Sequence, residues 1–429
     1  MSDTTPTFPA KWNRVQIRRK LRGGDGIRIG PFGSALTLDQ MVEEGFKVYG
    51  QENVISQDFS IGTRYLSPPK YAELKACSIS SGDLLVTMMG TTGRCCVVPE
   101  EIEEGIMDSH LIRLRFQDHE VDPSFMALLI DKGHFVKEQI GAGGKGTIMS
   151  GLNSSIIKDV WVGLPDVITQ QRIAKYVDEQ TAKIDRLMEM RRRQMELLKE
   201  QRAALIQQAV TRGINSDALM KESGIPWLGE IPTHWEVKPI KYAARISRGR
   251  FGYRPRTEPT LYDGPYPFVQ TGDVASAQKY LTSYTQTLTE KGYGVSVEFP
   301  AGTLLMAIAA NIGDLAILGI NACLPDSIVG FFPYAGTDVE FLYYQLSCQQ
   351  KRLHALAPEN TQMNLNIDRL SPEKIAFPPE EEQKEICRHI NEIEKSIEVT
   401  LSSYSRQLTL LAEYRTALIH ECVTGQREV

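Results

Sequence analysis

PDVITQQRIAKYVDEQTAKIDRLMEMRRRQMELLKEQRAALIQQAVT, residues 165–211, recurs without a gap at residues 378–424, 213 positions later. Sixteen of the forty-seven aligned positions are identical, among them Gln170/Gln383, Ile173/Ile386, Ile184/Ile397, Gln194/Gln407 and Ala204-Leu205-Ile206/Ala417-Leu418-Ile419. Ordinary residue frequencies would give roughly three matches, so the two stretches are copies. Both open with proline and polar or acidic residues, as helix N-termini do, and neither contains an internal Gly or any Pro beyond its first turn. Apolar residues fall at spacings built from three and four: Ile173, Val177, Ile184, Leu187, Leu198 and Leu205 in the first copy, Ile386, Ile390, Ile393, Ile397, Leu411 and Leu418 in the second. That pattern predicts two long helices with a heptad seam. A helix of about 40 residues is a rod of roughly 60 Å, too long to bury its stripe on one compact domain, so the two are expected to pair. Their charges favour it. Residues 170–212 hold ten Lys/Arg against six Asp/Glu, a net of +4, and residues 380–424 hold five against nine, a net of −4. Gln194 and Gln407 either fix register or lie at the edge of the seam.

The rest of the chain repeats on the same plan. Phe8-Pro9-x-x-Trp12 returns as Ile231-Pro232-x-x-Trp235, Gly82-Asp83-Leu84-Leu85 as Gly302-Thr303-Leu304-Leu305, and Gly93 as Gly313. Asp108-Ser109 echoes Asp326-Ser327, Asp122-x-x-Phe125 echoes Asp338-x-x-Phe341, and Leu152-Asn153 echoes Leu365-Asn366. Strand-like runs at 45–55, 79–89, 94–98 and 106–116, with a helical pattern at 123–140, predict α+β domains. The division expected is a first globular domain at 1–162, a central helix at 163–213, a linker and second globular domain at 214–376, and a C-terminal helix at 377–429. The helices match better than the domains, as expected of one scaffold presenting two different surfaces.

At 429 residues, with seven cysteines, no CxxC pair and a net charge of −5, the composition is that of an ordinary reduced protein with ample core. No apolar run is long enough to span a bilayer, and the first residues lack a signal-peptide pattern, so a cytoplasmic location is expected. Catalytic motifs are weak. Gly141-x-Gly143-x-x-Gly146 follows a helical pattern rather than a strand, and Lys145 is not followed by Ser or Thr as a phosphate loop requires. The histidines show no metal-ligand spacing. Neither a catalytic residue nor a metal site is expected.

The loops are more informative. Arg28 flanks the Gly30–Gly33 turn, Arg94 closes residues 90–94, and Lys145 with Thr147 lies in a glycine-rich loop. In the second half Arg248, Arg250, Arg254 and Arg256 interleave with Phe251 and Tyr253, Asn311 occupies the counterpart of the 90–94 loop, and Asn360 with Gln362 the counterpart of residues 145–149. Arg, Asn and Gln can pair bidentately with base edges, and Lys or Arg can neutralise phosphates. A solvated glycine-rich loop would look the same at any single position; the Arg248–Arg256 cluster favours DNA. Arg191-Arg192-Arg193 reads first as a solvated helix face.

MKESGIPWLGEIPTHWEVKPIK (220–241), LPDVITQQRIAKYVDEQTAKID (164–185), FPPEEEQKEICRHINEIEKSI (377–397) and GPFGS (30–34) together resemble the specificity subunits of type I restriction-modification systems, nearly over the full chain. The N-terminus departs from that pattern in lacking the SGIPWLGE portion. The resemblance implies two target-recognition domains that read the halves of a bipartite DNA site, held apart by an antiparallel coiled coil. It also implies two modification subunits carrying the S-adenosylmethionine chemistry, no cofactor in this chain, and restriction/translocase subunits as a further class of partner. Two other readings compete: a coiled-coil protein–protein adaptor without DNA specificity, and an enzyme whose site escapes motif reading. The adaptor gives no reason for two diverged, Arg-bearing loop sets at equivalent points.

Overall fold

The computed structural model describes residues 6–117, 119–143, 152–253, 258–355 and 365–429. The chain divides into two units, Met1–Arg191 with Arg406–Val429, and Arg192–Ser405. Each long helix, Val167–Arg212 and Glu380–Thr424, therefore gives part of its length to each unit, because each part shares a hydrophobic core with the domain beside it. The stretch 214–235 is more than a linker: Met220–Glu222 pairs antiparallel with Glu230–Pro232.

In the first unit Asn13–Gln16 pairs antiparallel with Trp161–Leu164. This clasp joins the two ends of the domain immediately before the first long helix. The main sheet runs, in spatial order, Ile27–Ile29, Leu111–Leu114, Leu84–Thr87 and Cys95–Val97, and a second four-stranded sheet is built on Phe46–Tyr49. The second unit repeats the clasp with Glu236–Pro239 and Lys374–Phe377. Its main sheet runs Ala244–Arg248, Ile328–Pro333, Leu304–Ala307, Leu315–Leu318 and Tyr280–Leu281. Both units are thus α+β. Two expected elements differ in detail. The run 45–55 is strand only to Tyr49 and then helix Gln51–Ser56, and the helical pattern 123–140 breaks at Gly133 into Pro123–Lys132 and His134–Gly143.

The repeated residues make the same bonds in both units. Asp122 and Asp338 cap helices by accepting from the backbone N–H of Phe125 and Phe341. The backbone N–H of each Asp donates in turn to a long-helix glutamine: Asp122 to Gln170 Oε1 (2.9 Å), Asp338 to Gln383 Oε1 (2.8 Å). Gln170 Nε2 donates to the carbonyls of Glu120 (3.0 Å) and Pro165 (2.8 Å), and Gln383 Nε2 to those of Gly336 (2.9 Å) and Pro378 (2.8 Å). Both side chains are fully buried.

The long helices pack against each other antiparallel within each unit. In the first, Ile173, Val177 and Ile184 share a core with Leu418, Ile419, Cys422 and Val423, and Arg415 closes a two-bonded pair with Asp185 (2.8 and 3.0 Å). In the second, Ile206, Ala209 and Val210 meet Ile386, Cys387 and Ile390. Ile397 is buried, and Leu198, Leu205 and Leu411 are half-buried. Leu187 corrects the expected seam. It is 47 % exposed, while the adjacent Met188 packs on the core. The seam runs Ile173, Val177, Thr181, Ile184, Met188, and a heptad step of four after Ile184 carries it past Leu187. By the same parity Gln194 is exposed and Met195 half-buried, which places Gln194 at the edge.

The glutamine bonds set an expectation for stability. Gln383→Ala orphans a buried N–H and leaves two carbonyls without this donor, and should lower unfolding free energy by about 2–4 kcal/mol. The exposed Gln171→Ala should change it by less than about 0.5 kcal/mol. Urea unfolding of both variants is the check.

Candidate nucleic-acid interface

The candidate loops converge on one end of the main sheet in each unit, and backbone hydrogen bonds hold them there. In the first unit Gly30 N–H donates to Leu111 O (3.1 Å), Met88 N–H to His110 O (2.8 Å) and Leu152 N–H to Met88 O (2.9 Å). In the second, Gly249 N–H donates to Ile328 O (2.9 Å), Ile308 N–H to Ser327 O (2.9 Å) and Leu365 N–H to Ile308 O (2.8 Å). These bonds also correct one sequence echo by a residue. Leu111 matches Ile328 and His110 matches Ser327, so Asp108 stands opposite Pro325 and Ser109 opposite Asp326.

The central loop has the same backbone in both units. Thr87 N–H donates to Arg94 O (3.0 Å) and Gly93 N–H to Thr87 O (2.9 Å). Ala307 N–H donates to Asp314 O and Gly313 N–H to Ala307 O, both at 2.9 Å. Gly90 (φ 64°) and Gly93 (φ 79°) are left-handed, and so are Ala310 (φ 60°) and Gly313 (φ 87°). Ala310 takes the conformation that glycine takes in the first unit, at a cost of about 1 kcal/mol.

Gly-x-Phe-Gly marks the neighbouring turn in both halves, at 30–33 and 249–252, a match that sequence reading passed over. A Cβ on Gly30 would lie 1.8 Å from Asp108 O, and one on Gly249 2.2 Å from Pro325 O, so the chain crosses the facing turn too closely for a side chain. Phe32 is 56 % exposed. Its counterpart Phe251 is buried against Phe268, ring centres 5.1 Å apart, and Tyr262.

Of the expected contact residues, Arg28 is exposed on its strand across from Arg113. Arg94 is drawn back onto the helix Pro123–Lys132, with Nε 3.4 Å from the buried Asp131. Its counterpart Asp314 accepts from Gln350 Nε2 (2.6 Å), so this position ties loop to helix in both units with the polarity reversed. Arg248 Nε donates to Asp326 O (2.5 Å) and Arg250 is exposed one residue past Gly249. The Tyr253 ring carries Lys291 Nζ at 5.4 Å. Asn311 is exposed and donates to Thr271 O (3.4 Å). Lys145, Thr147, Arg254, Arg256, Asn360 and Gln362 lie outside the described residues. Asp108, which no motif marked, accepts from His110 N–H (2.9 Å) and faces Arg64 (3.3 Å), setting the turn beneath Gly30.

These edges offer backbone N–H groups, guanidinium groups and amides, and in the first unit His110 Nδ1 lies 3.6 Å from Asp108. Among the described residues no group of His, Cys, Asp and Glu could hold a metal ion. All seven cysteines are free thiols. Burial pushes the Cys348 thiol up to about 12 and that of Cys422 to about 11, and the thiolate is the nucleophile. Among the described residues no helix is long and apolar enough to cross a membrane.

Residues 232–403 match the family model of the type I restriction modification DNA specificity domain. Two curated relatives come from Methanocaldococcus jannaschii. The type I restriction enzyme MjaVIII specificity subunit is 25 % identical over 312 residues, covering 69 % of each chain. The putative MjaX specificity subunit is 24 % identical over 345 residues, covering 78 % of this chain and 77 % of its own. Two solved structures share the fold. One, from work on complex assembly and conformational transition of the type I R-M system, aligns with TM-score 0.77 at 15 % identity, over 99 % of this chain and all of its own. The other, the HsdS subunit of Thermoanaerobacter tengcongensis, aligns with TM-score 0.63 at 14 % identity over the whole of both chains.

The shared loop backbone makes opposite substitutions informative. Ala310→Gly should relieve left-handed strain and raise stability by about 0.5–1 kcal/mol, and Gly90→Ala should lower it by a similar amount. Thermal unfolding of the two variants, read as paired shifts of opposite sign, tests this.

Proposed function

We propose, from the match of residues 232–403 to the type I restriction modification DNA specificity domain and the likeness to curated specificity subunits, that this chain belongs to that family and is the non-catalytic DNA-reading subunit of such a complex. The observation that carries this reading is the duplicated sheet edge: one backbone frame holding two different sets of side chains toward solvent. Each edge takes one half of a bipartite site in double-stranded DNA, by base-edge contacts in a groove and by phosphate contacts around it. Phe32 is exposed where Phe251 is buried, and position 94/314 carries an arginine in one unit and an aspartate in the other, so the half-sites differ and the full site is asymmetric. The long helices carry no loop among their residues and set a spacing without reading bases.

The same reading places two modification subunits on this frame, with restriction/translocase subunits as further partners and S-adenosylmethionine held by the modification subunits. It places the assembly in the cytoplasm, with its DNA. The adaptor reading is not favoured, since it leaves the matched edges without a purpose.

Two experiments test it. Inserting four residues after Lys199 and after Ala412 adds about one helical turn to each long helix. In cells, methylome sequencing should then show a longer unread spacer between unchanged half-sites; changed half-site letters, or a site with no spacer, would contradict the reading. Arg250→Ala should weaken DNA binding by the assembled complex by about 1–3 kcal/mol if the residue reads a base, relaxing one half-site only. If Arg250 meets a phosphate, the salt slope should fall by about one with no change in specificity. No change in affinity, slope or specificity would remove Arg250 from the interface.

A further inference from the structure

The two units differ at the far edge of the main sheet. In the second unit Tyr280–Leu281 lies parallel to Leu315–Leu318 as a fifth strand, with Ile317 N–H donating to Lys279 O (2.7 Å) and Gly319 N–H to Leu281 O (2.8 Å). Lys279 Nζ then reaches Glu340 (2.7 Å), the Tyr344 hydroxyl (2.9 Å) and Asn391 on the second long helix (2.9 Å). Among the described residues the first unit has no such strand, and Cys95–Val97 is the edge of its main sheet. Val98 N–H donates inward to Asp83 O and Thr87 N–H to Arg94 O, so antiparallel alternation turns the Val97 N–H outward. It has no partner among the described residues.

The connection that supplies the fifth strand takes another route here. Asn53 donates through Nδ2 to Asp58 O and Ile61 O, both at 3.0 Å, and the intervening Phe59 packs in the core beside Tyr49. Asp273, the counterpart of Asn53 in the repeated N-terminal capping of this helix, has no such donors and instead accepts from Thr285 N–H (3.1 Å). Beneath the bare edge a groove of about 620 Å³ opens, lined by Val97, Ser124, Leu128 and Asp178 among others. Ser124, Leu128 and Asp178 are the counterparts of Glu340, Tyr344 and Asn391, the residues that receive Lys279.

We propose that this groove docks an extended segment of the modification subunit, one that adds to the Val97 edge and places a basic side chain on Asp178. The second unit shows what such a groove accepts: a short strand bearing a lysine followed by an aromatic and an aliphatic residue. The acid changes place rather than number: Glu340 is replaced by Ser124 and neutral Asn391 by Asp178, so each groove keeps one carboxylate for a lysine, and Asp178 has no side-chain partner among the described residues. Asp131 is paired with Arg94 and Lys132, and Asp185 with Arg415; with Asp122, Asp131, Asp178 and Asp185 set against Lys132, Lys175 and Arg415, the groove offers DNA no net positive charge. A second copy is disfavoured because its own Lys279 segment is already seated. Pro99 stands where Gly319 donates, so the added strand is limited to the Val97 contact, and proline at an edge also keeps the strand from indiscriminate pairing. The choice of partner rests on the function proposed above; the chemistry of the groove does not.

The test has two arms, both on the full chain. In the first, hydrogen exchange at the Val97 amide is followed with millimolar synthetic peptide AQKYLTS, the sequence of residues 277–283. Exchange should slow with this peptide, and not with a peptide carrying Glu in place of its lysine, nor in the Asp178→Lys chain. In the second, the chain is assembled with its modification subunits. Val97→Pro, tolerated at an edge because this N–H is unpaired, and Asp178→Lys should each weaken assembly about tenfold. An unprotected Val97 with the peptide, or wild-type assembly by both variants, overturns the proposal. If the unaltered chain assembles with no modification subunit, the proposed function fails and this occupant with it, while the peptide arm still decides what the groove accepts.

Discussion

A buried glutamine amide at the root of each long helix holds the architecture together. Glutamine suits the position because one side chain must accept from a backbone N–H and donate to two carbonyls, and a carboxylate or a lysine could do only half of that. Buried and satisfied, the amide stabilises modestly; stripped of partners, it would cost several times as much. Gln170 and Gln383 join the first turn of their helix to the residue that caps a helix of the adjoining domain. The bond therefore fixes how a domain meets its helix, the geometry on which any reading of a fixed-spacing site would depend.

The same economy appears at the chain's two helix ends. Gly213 (φ 76°) lies against Pro232 and Trp235, and Gly425 (φ 74°) against Pro9 and Trp12. The first long helix ends on the Pro-x-x-Trp corner of the second unit, and the second long helix ends on the matching corner of the first. Each domain is thus bounded by the start of one long helix and the end of the other, and draws its core from both.

On this duplicated frame the loop edges could diverge because their shape is set by the backbone. Left-handed residues at 90 and 93, and at 310 and 313, and the crossings at Gly30 and Gly249 hold the loops whatever side chains they carry. Position 94/314 shows how freely chemistry can change: an arginine facing an aspartate as an ion pair in one unit, an aspartate hydrogen-bonded to a glutamine in the other, each with its partner on a helix. The sheet's far edge diverged further. An asparagine amide, where the other unit has a carboxylate, draws a connection of similar length into the core and leaves an edge and groove bare.

Sequence alone determined the repeat, the two long helices, their pairing and the α+β character of the domains, because heptads, capping residues and duplicated motifs are local signals. Asp122-x-x-Phe125 and Asp338-x-x-Phe341 were legible as echoes for the same reason: a cap acts within one turn. What only the tertiary structure decided involves partners far apart in the chain. Leu187 left the seam for Met188 because a helix has 3.6 residues per turn, so the packed position depends on where the heptad phase is pinned. The Asp-Ser echo shifted by one residue because pairing across strands, and not local identity, sets register. Arg94 has the composition of a DNA contact but faces Asp131, a partner 37 residues on that no spacing rule could supply. Phe32 and Phe251 share a motif and part company in burial, since an aromatic cluster grew around only one of them. The sequence carries the frame twice; which side chains each copy leaves facing solvent was settled by packing.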